Sequence, residues 1–220
     1  MSAYETLASA YDGLTSDIDY GKTLSFLEAI LAQADRKPQS VVDLACGTGS
    51  MSVLLAKRGY RVIAADLSED MLAVASEKAS ELEENFPLFI CQRMERLRLP
   101  YAVDWVVCCL DSLNYVTEPE KCREALKRVH DSLSPGGALI FDISTPWKLE
   151  NVLGNEMIVE DREDVTYMWQ NSFSKRTGIC EMALCFFLKE KDGRYRRIDE
   201  EQRQRAHTRE GLTALLHSCG

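Results

Sequence analysis

The chain has 220 residues, 45% apolar and 28% charged, a composition that buries one sizeable core and excludes a disordered chain. Its formal charge of -9 repels phosphate backbones and anionic bilayers, so neither a nucleic-acid partner nor a membrane is expected. No stretch approaches the ~18 apolar residues of a membrane span, Met1 to Gly13 has no apolar leader core, and the eight cysteines form no CxxC pair.

Those cysteines fall largely in apolar runs such as Val106-Val107-Cys108-Cys109-Leu110, where a thiol behaves as a small hydrophobe. Reduced core thiols, no metal site and a cytoplasmic protein are the expectation.

Between Gly21 and Ala34, the spacing of Leu24, Leu27, Ile30 and Leu31 predicts an amphipathic helix, with Pro38 beyond it as a breaker. Ser40 to Ala45 reads as a buried strand. It leads through the turn Cys46-Gly47-Thr48-Gly49 into a helix carrying Met51, Leu54, Leu55 and Ala56, which stops at Gly59. A strand from Arg61 ends at Asp66, and Ser68 can cap the helix of Met71, Leu72 and Ala75. Strands at Leu88 to Cys91, Val103 to Leu110 and Ala138 to Ile143 follow, with a helix from Glu118 to Leu133 broken by Ser134-Pro135-Gly136-Gly137. Continuous apolar strands between amphipathic helices predict an α/β fold, a doubly wound, mostly parallel sheet with helices on both faces.

After Pro146 the pattern changes. Asp164 to Ser174 alternates, with Val165, Tyr167, Trp169 and Phe173 on one face. Ile179 to Lys189 and Arg194 to Ala206 are further extended runs joined at Asp192-Gly193, a two-residue hairpin signal. An antiparallel β insertion of three or four strands after the fifth strand is expected. Thr208 then caps a last helix with Leu212, Leu215 and Leu216.

In Asp43-Leu44-Ala45-Cys46-Gly47-Thr48-Gly49 a strand enters a turn whose glycines let a ligand approach the backbone and whose next helix presents its N-terminus there. Asp66 ends the next strand, about 20 residues on, where a carboxylate accepts from ribose hydroxyls. Ser52 stands where a dinucleotide fingerprint has its third glycine, and Asp43 favours a cationic cofactor over a pyrophosphate.

These residues resemble the Rossmann-like (class I) S-adenosylmethionine-dependent methyltransferases. The likeness runs through Tyr11-Asp12, Asp19-Tyr20, Ala65-Asp66-Leu67-Ser68, Asp111-Ser112-Leu113-Asn114-Tyr115 and Leu133-Ser134-Pro135-Gly136-Gly137. It implies a cofactor, S-adenosyl-L-methionine, lying over Ala45, Cys46, Gly47 and Gly49, with Asp43 near its ammonium and Asp66 on the ribose. It places Leu67 and Met94 beside adenine, the Leu110 carbonyl on the amine, and Tyr11 and Tyr20 over the methionyl end. Where the family often has an aspartate for the adenine amino group, this chain has Cys91-Gln92-Arg93-Met94; Arg93 has only donors, which leaves Gln92 or the backbone.

Candidates for catalysis are Tyr11, Asn114, Tyr115 and His207, and for substrate contact Trp147, Tyr167, Trp169 and Arg205. Six arginines between 194 and 209 read either as an anion site or as a charged, solvated edge, and the edge is favoured. The expected organisation is a cofactor-binding core with N-terminal helices (1–150), a substrate cover (151–207) and a returning helix (208–220). A small-molecule N- or O-methyltransferase is the leading reading. The alternatives are a methyltransferase acting on protein or RNA, an oxidoreductase, or a non-catalytic nucleotide-binding protein. Family members continue past the last helix with two further strands; this chain ends at Gly220, so the fold is expected to be truncated. The strand at Ala138 to Ile143 then needs cover from the insertion or from a second subunit in a homodimer.

Overall fold

A computed structural model describes residues 8, 11–15, 17–32, 38–190 and 192–220. Strands β1 (Ser40–Leu44) and β4 (Val103–Cys108) are buried at every position. Strands with no polar face must lie centrally and be covered on both sides. They pair in parallel, with Asp43 opposite Val107. β2 (Arg61–Asp66) and β3 (Leu88–Cys91) extend one side of the sheet and β5 (Leu133–Phe141) the other, in the order β3-β2-β1-β4-β5. Chain order reverses between β1 and β4, so the ligand crevice of such a sheet opens beyond the carboxyl ends of these two strands.

Side-chain parity divides the core in two. Val41, Val62, Trp105 and Val107 meet Leu24, Leu27 and Leu31 of α1 (Tyr20–Leu31), Leu55 of α2 (Ser50–Lys57) and Ala79 of α3 (Glu69–Ala79). Their neighbours Val42, Ile63, Val106 and Cys108 face the other way, toward Val129 of α4 (Pro119–Ser132). Leu212 of α5 (Arg209–Cys219) joins Cys122 and Leu126 of α4.

The expected caps form, with Ser68 accepting from Met71 N–H at 3.3 Å and Thr208 from Gly211 N–H at 3.1 Å; Asp19 adds one at the first helix, accepting from Lys22 N–H at 2.8 Å. The first helix closes at Leu31, and Ala34 lies outside the described residues. The fifth strand starts at Leu133, before the glycines rather than after them, because the chain re-enters the sheet opposite Val103 as soon as α4 ends.

The insertion is a separate antiparallel sheet, β6-β7-β8-β9, of β6 (Met157–Asp161), β7 (Val165–Ser174), β8 (Ile179–Lys189) and β9 (Tyr195–Arg205). Among the described strands β5 pairs with β4 alone, so the insertion does not extend the parallel sheet. Lys189 pairs with Tyr195, and Glu190 N–H still bonds to Arg194 O at 2.7 Å, which makes the β8–β9 connection longer than the two-residue turn its Asp-Gly suggests.

Two side chains, buried Asn114 and half-buried Arg205, tie β9 to the turn after β4. Asn114, at 0% exposure, donates to the carbonyls of Ser144 (2.9 Å) and Arg205 (2.8 Å) and accepts from Ser144 N–H (3.0 Å). The Arg205 guanidinium returns the contact, donating to the Thr117 carbonyl. Asn114→Leu keeps the volume and strands these groups at about 1–3 kcal/mol for a buried unpaired group. Urea unfolding should show at least that loss; an unchanged midpoint would mean that the two sheets are held together elsewhere.

Candidate active site

The crevice begins in backbone geometry. Within five residues the β1–α2 turn has three left-handed positions, Ala45 (φ 60°), Gly47 (φ 53°) and Gly49 (φ 74°). At Gly49 a side chain is excluded by space as well, since a Cβ there would meet the Ala75 Cβ at 2.8 Å. At Gly47 the space is open, which leaves room for a ligand against the main chain. After β4 the chain turns through two more left-handed residues, Leu110 (φ 56°) and Asp111 (φ 48°). Strain of this kind costs of order 1–3 kcal/mol per residue and gathers at functional sites.

Three carboxylates converge on that space. Asp66 is oriented through both oxygens, accepting from Gly47 N–H (2.9 Å) and Ser68 N–H (2.9 Å), with lone pairs left for a ligand. Asp43 is buried in β1 and accepts from the Ser52 hydroxyl at 2.5 Å, so the residue in the third-glycine position holds this carboxyl. Asp111 accepts from Ser144 Oγ (2.9 Å) and from Gln204 Nε2 of β9 (2.6 Å), and its N–H donates to Asp142 at 2.8 Å.

Tyr11 and Tyr20 lie close enough to Asp43, Asp66 and Asp111 to feel their charges. A latch fixes their segment: Thr48 Oγ1 donates to Asp12 at 2.6 Å, and Lys78 reaches Asp12 at 2.7 Å and Ser50 at 2.8 Å. Burial, followed by Tyr20, Asp111, Asp66 and Glu200, pushes the Tyr11 phenol up to about 12. Tyr11 therefore touches the electrostatics of the core and of the insertion at once. Burial raises the Cys46 thiol, and raises that of Cys109 to about 12, which keeps both protonated. All eight cysteines are free.

The remaining sequence candidates divide. Leu67 is 61% exposed at the rim beyond Asp66, while Met94 packs partly into the core. Gln92 is engaged by Arg98, accepting its N–H at 2.8 Å, and Arg93 pairs with Glu95 at 2.7 Å. Tyr115 is exposed and donates to Gln202 at 3.0 Å. Asn114 and Arg205 join elements rather than line the opening. His207 is buried, and burial lowers its pKa, with Arg205 adding to the effect. Trp169 packs with Leu149 and Met182, and Tyr167 with Phe186. Trp147, 67% exposed, stays apart from both clusters. Four of the arginines pair on the surface: Arg194 with Asp192, Arg196 with Glu190, Arg197 with Asp199 and Arg203 with Glu181. The charged-edge reading describes them.

Ser52, Ser144, Glu200, Gln202 and Gln204 are additions the sequence reading missed. The available signal was parity: in β9 the even positions from Ile198 to Gln204 are the less exposed ones, yet three of the four are polar.

Comparison with known proteins places the chain. Residues 41–137 match the family described as "Methyltransferase domain". YqeM of Bacillus subtilis, named as a methyltransferase, is 34% identical over 218 residues, 99% of this chain and 85% of that one. An S-adenosylmethionine-dependent methyltransferase structure from Clostridium acetobutylicum superposes with a TM-score of 0.87 at 32% identity, over 99% of this chain and 87% of that one. CalS10 of Micromonospora echinaspora, an amino pentose methyltransferase solved with S-adenosylmethionine bound, shares the fold at 20% identity (TM-score 0.78, 100% and 89% covered). The chain belongs to the S-adenosylmethionine-dependent methyltransferases; it is an enzyme, and its cofactor is S-adenosylmethionine.

Two predictions follow from the turn and from Asp43. Gly47→Ala should cost about 1–2 kcal/mol in stability for its left-handed backbone, and Gly49→Ala measurably more because Ala75 is in the way; equal losses on urea unfolding would contradict the packing. Burial raises the Asp43 carboxyl from 3.8 to about 6, with Ser52 opposing the shift. The folded protein thus holds a proton that the unfolded chain releases. This contribution to stability is complete below pH 4 and is lost as pH rises to about 6. Relative to Asp43→Asn, the wild type should lose on the order of 3 kcal/mol between pH 4 and pH 7. A pH-independent difference would show that the carboxyl is not perturbed.

Proposed function

We propose that this enzyme transfers the methyl group to an N or O atom of a small molecule, bound between the crevice and the insertion. The observation that supports the reading is the surroundings of Tyr11, which feels the charges of Asp66, of Asp111 and of Glu200 of β9 together, while β9 is bonded to Asp111 through Gln204. One small chamber then has the core for its floor and residues 151–207 for its cover. The net charge of -9 and the pairing of the surface arginines speak against an RNA acceptor. Among the described residues no helix is long and apolar enough to cross a membrane. Eight free thiols suit a reducing, cytoplasmic setting.

The donor set suits the cofactor. Asp43 and Asp66 in a glycine cradle attract a sulfonium and an ammonium and repel a pyrophosphate. In this reading Asp66 takes the ribose, and Asp43, held by Ser52, acts on the methionyl end. Ala45, Cys46, Gly47 and Gly49 form the floor, and the Leu110 carbonyl accepts from the amine. Leu67 and Met94 border adenine; with Gln92 bound to Arg98, the main chain near Arg93 meets the amino group.

S-adenosylmethionine supplies a methyl group already activated by positive sulfur. The chain's own work is to align, and positioning is worth on the order of 7–11 kcal/mol. Tyr11 and Tyr20, both raised by burial, stay protonated and cover the site instead of acting as bases. A base is needed only for a nucleophile that arrives with its proton.

Titration calorimetry should show binding of S-adenosylmethionine and S-adenosylhomocysteine and no comparable binding of NAD. Asp66→Ala should weaken that binding by about tenfold or more, roughly 1.4 kcal/mol, with the fold intact. An unchanged affinity would place the ribose elsewhere.

A further inference from the structure

The inner face of β9 is the one wall of the chamber that belongs to no cofactor contact. Its even positions descend onto the turn after β4: Gln204 bonds Asp111, and Gln202 accepts from the Tyr115 hydroxyl. Successive same-face residues lie about 6.6–6.8 Å apart along a strand. Glu200 therefore stands one step beyond Gln202, toward Tyr11. Gln202 Nε2 donates to its Oε1 at 2.6 Å, which leaves Oε2 free of any bond to Gln202. Gln204, 2% exposed, has its Oε1 without a hydrogen-bond partner in the protein.

The wall has one sign. The strongest electrostatic influences on Tyr11 and Tyr115 come from carboxylates and phenols, and none from arginine or lysine. Arg197 and Arg203 lie at odd positions and face outward, paired with Asp199 and Glu181. Arg196, on the inner parity, lies at the far end of the strand beside Glu190. Glu200 is partly withdrawn from water, which raises its pKa, and only an amide compensates it. A carboxylate so placed, beside acceptor oxygens and without a cation, is poorly solvated until a positive donor reaches it.

From this arrangement we infer that the methyl acceptor is a small amine, cationic in solution, and that Glu200, supported by Gln202, is the residue that selects it. The inference rests on the methyl-transfer reading above and deepens it. An anionic acceptor would meet Glu200 and Asp111, while the nearby cations are already engaged, Lys78 by Asp12 and Arg205 by the Thr117 carbonyl. An ammonium group would gain charge-assisted hydrogen bonds; where its nitrogen is the nucleophile it first gives one proton to water, then forms the N–C bond as the methyl–sulfur bond breaks and S-adenosylhomocysteine leaves, its remaining N–H groups still donating to Glu200. Glu200 touches the acceptor and not the cofactor, so its removal changes acceptor recognition alone.

The test is release of S-adenosylhomocysteine from matched probes: ethanolamine against glycolate, tyramine against 4-hydroxyphenylacetate, and glucosamine against glucuronate. At least one amine should turn over with a kcat/KM exceeding that of its anionic match by about tenfold or more. Glu200→Gln, which keeps the shape, should raise KM for that amine about tenfold with kcat much less changed, and Glu200→Asp should recover part of the loss. S-adenosylmethionine affinity and the thermal midpoint should stay at wild-type values in both variants. Turnover of the anionic members alone, of none of the amines, or an unaltered KM in Glu200→Gln would overturn the inference. Failure of the wild type to bind S-adenosylmethionine would instead overturn the reading beneath it.

Discussion

A parallel strand buried on both faces has no side on which to leave a charge, and the whole molecule is arranged around that constraint. β1 and β4 keep their polar chemistry where the backbone must turn, at the carboxyl ends, and the left-handed residues there expose peptide groups that the sheet no longer uses. Two carboxylates lie within the strands: Asp104 of β4, which accepts from the Gln39 and Ser40 N–H groups and the Ser40 hydroxyl, and Asp43 of β1. Ser52 is the hydrogen-bond partner of Asp43, one turn into the following helix, so strand, turn and helix are locked by a single short contact. The same contact accounts for a serine where a dinucleotide site would have glycine.

The insertion solves a different problem. β9 rests on the turn after β4, and in the function proposed above it supplies the wall that a core with one open crevice lacks. The attachment to this turn uses a buried amide and main-chain groups, Asn114 with Ser144 and Arg205. Polar attachment has geometric specificity, because each partner accepts only a narrow range of positions. That suits a wall whose distance from the cofactor pocket matters.

Much of this was legible in the sequence, and the limits have physical causes. β1 and β4 could be read because burial on both faces leaves an unbroken apolar run, and β7 because burial on one face leaves alternation. Asp66 followed from its distance after the glycine turn. Asn114 was a candidate for chemistry because its partners lie 30 and 91 residues away, and no local pattern reveals a bond of that range. Glu200 was hidden in a charged run whose arginines dominate the eye. Only the parity set by Ile198 separates its inner carboxylate from the outer ion pairs, and parity acquires meaning once the buried face is known. The β8–β9 connection was misjudged because Asp-Gly specifies a bend and not where the ladder closes.

The latch over the crevice has a consequence for how the enzyme breathes. The Lys78–Asp12 ion pair is open to water, where such a pair is worth about 0–1 kcal/mol and weakens with salt, whereas Thr48, 2% exposed, donates to Asp12 from a buried position. Concentrated salt therefore acts on one half of the latch alone: the segment that carries Tyr11 loses its lysine tether and keeps the buried one to Thr48.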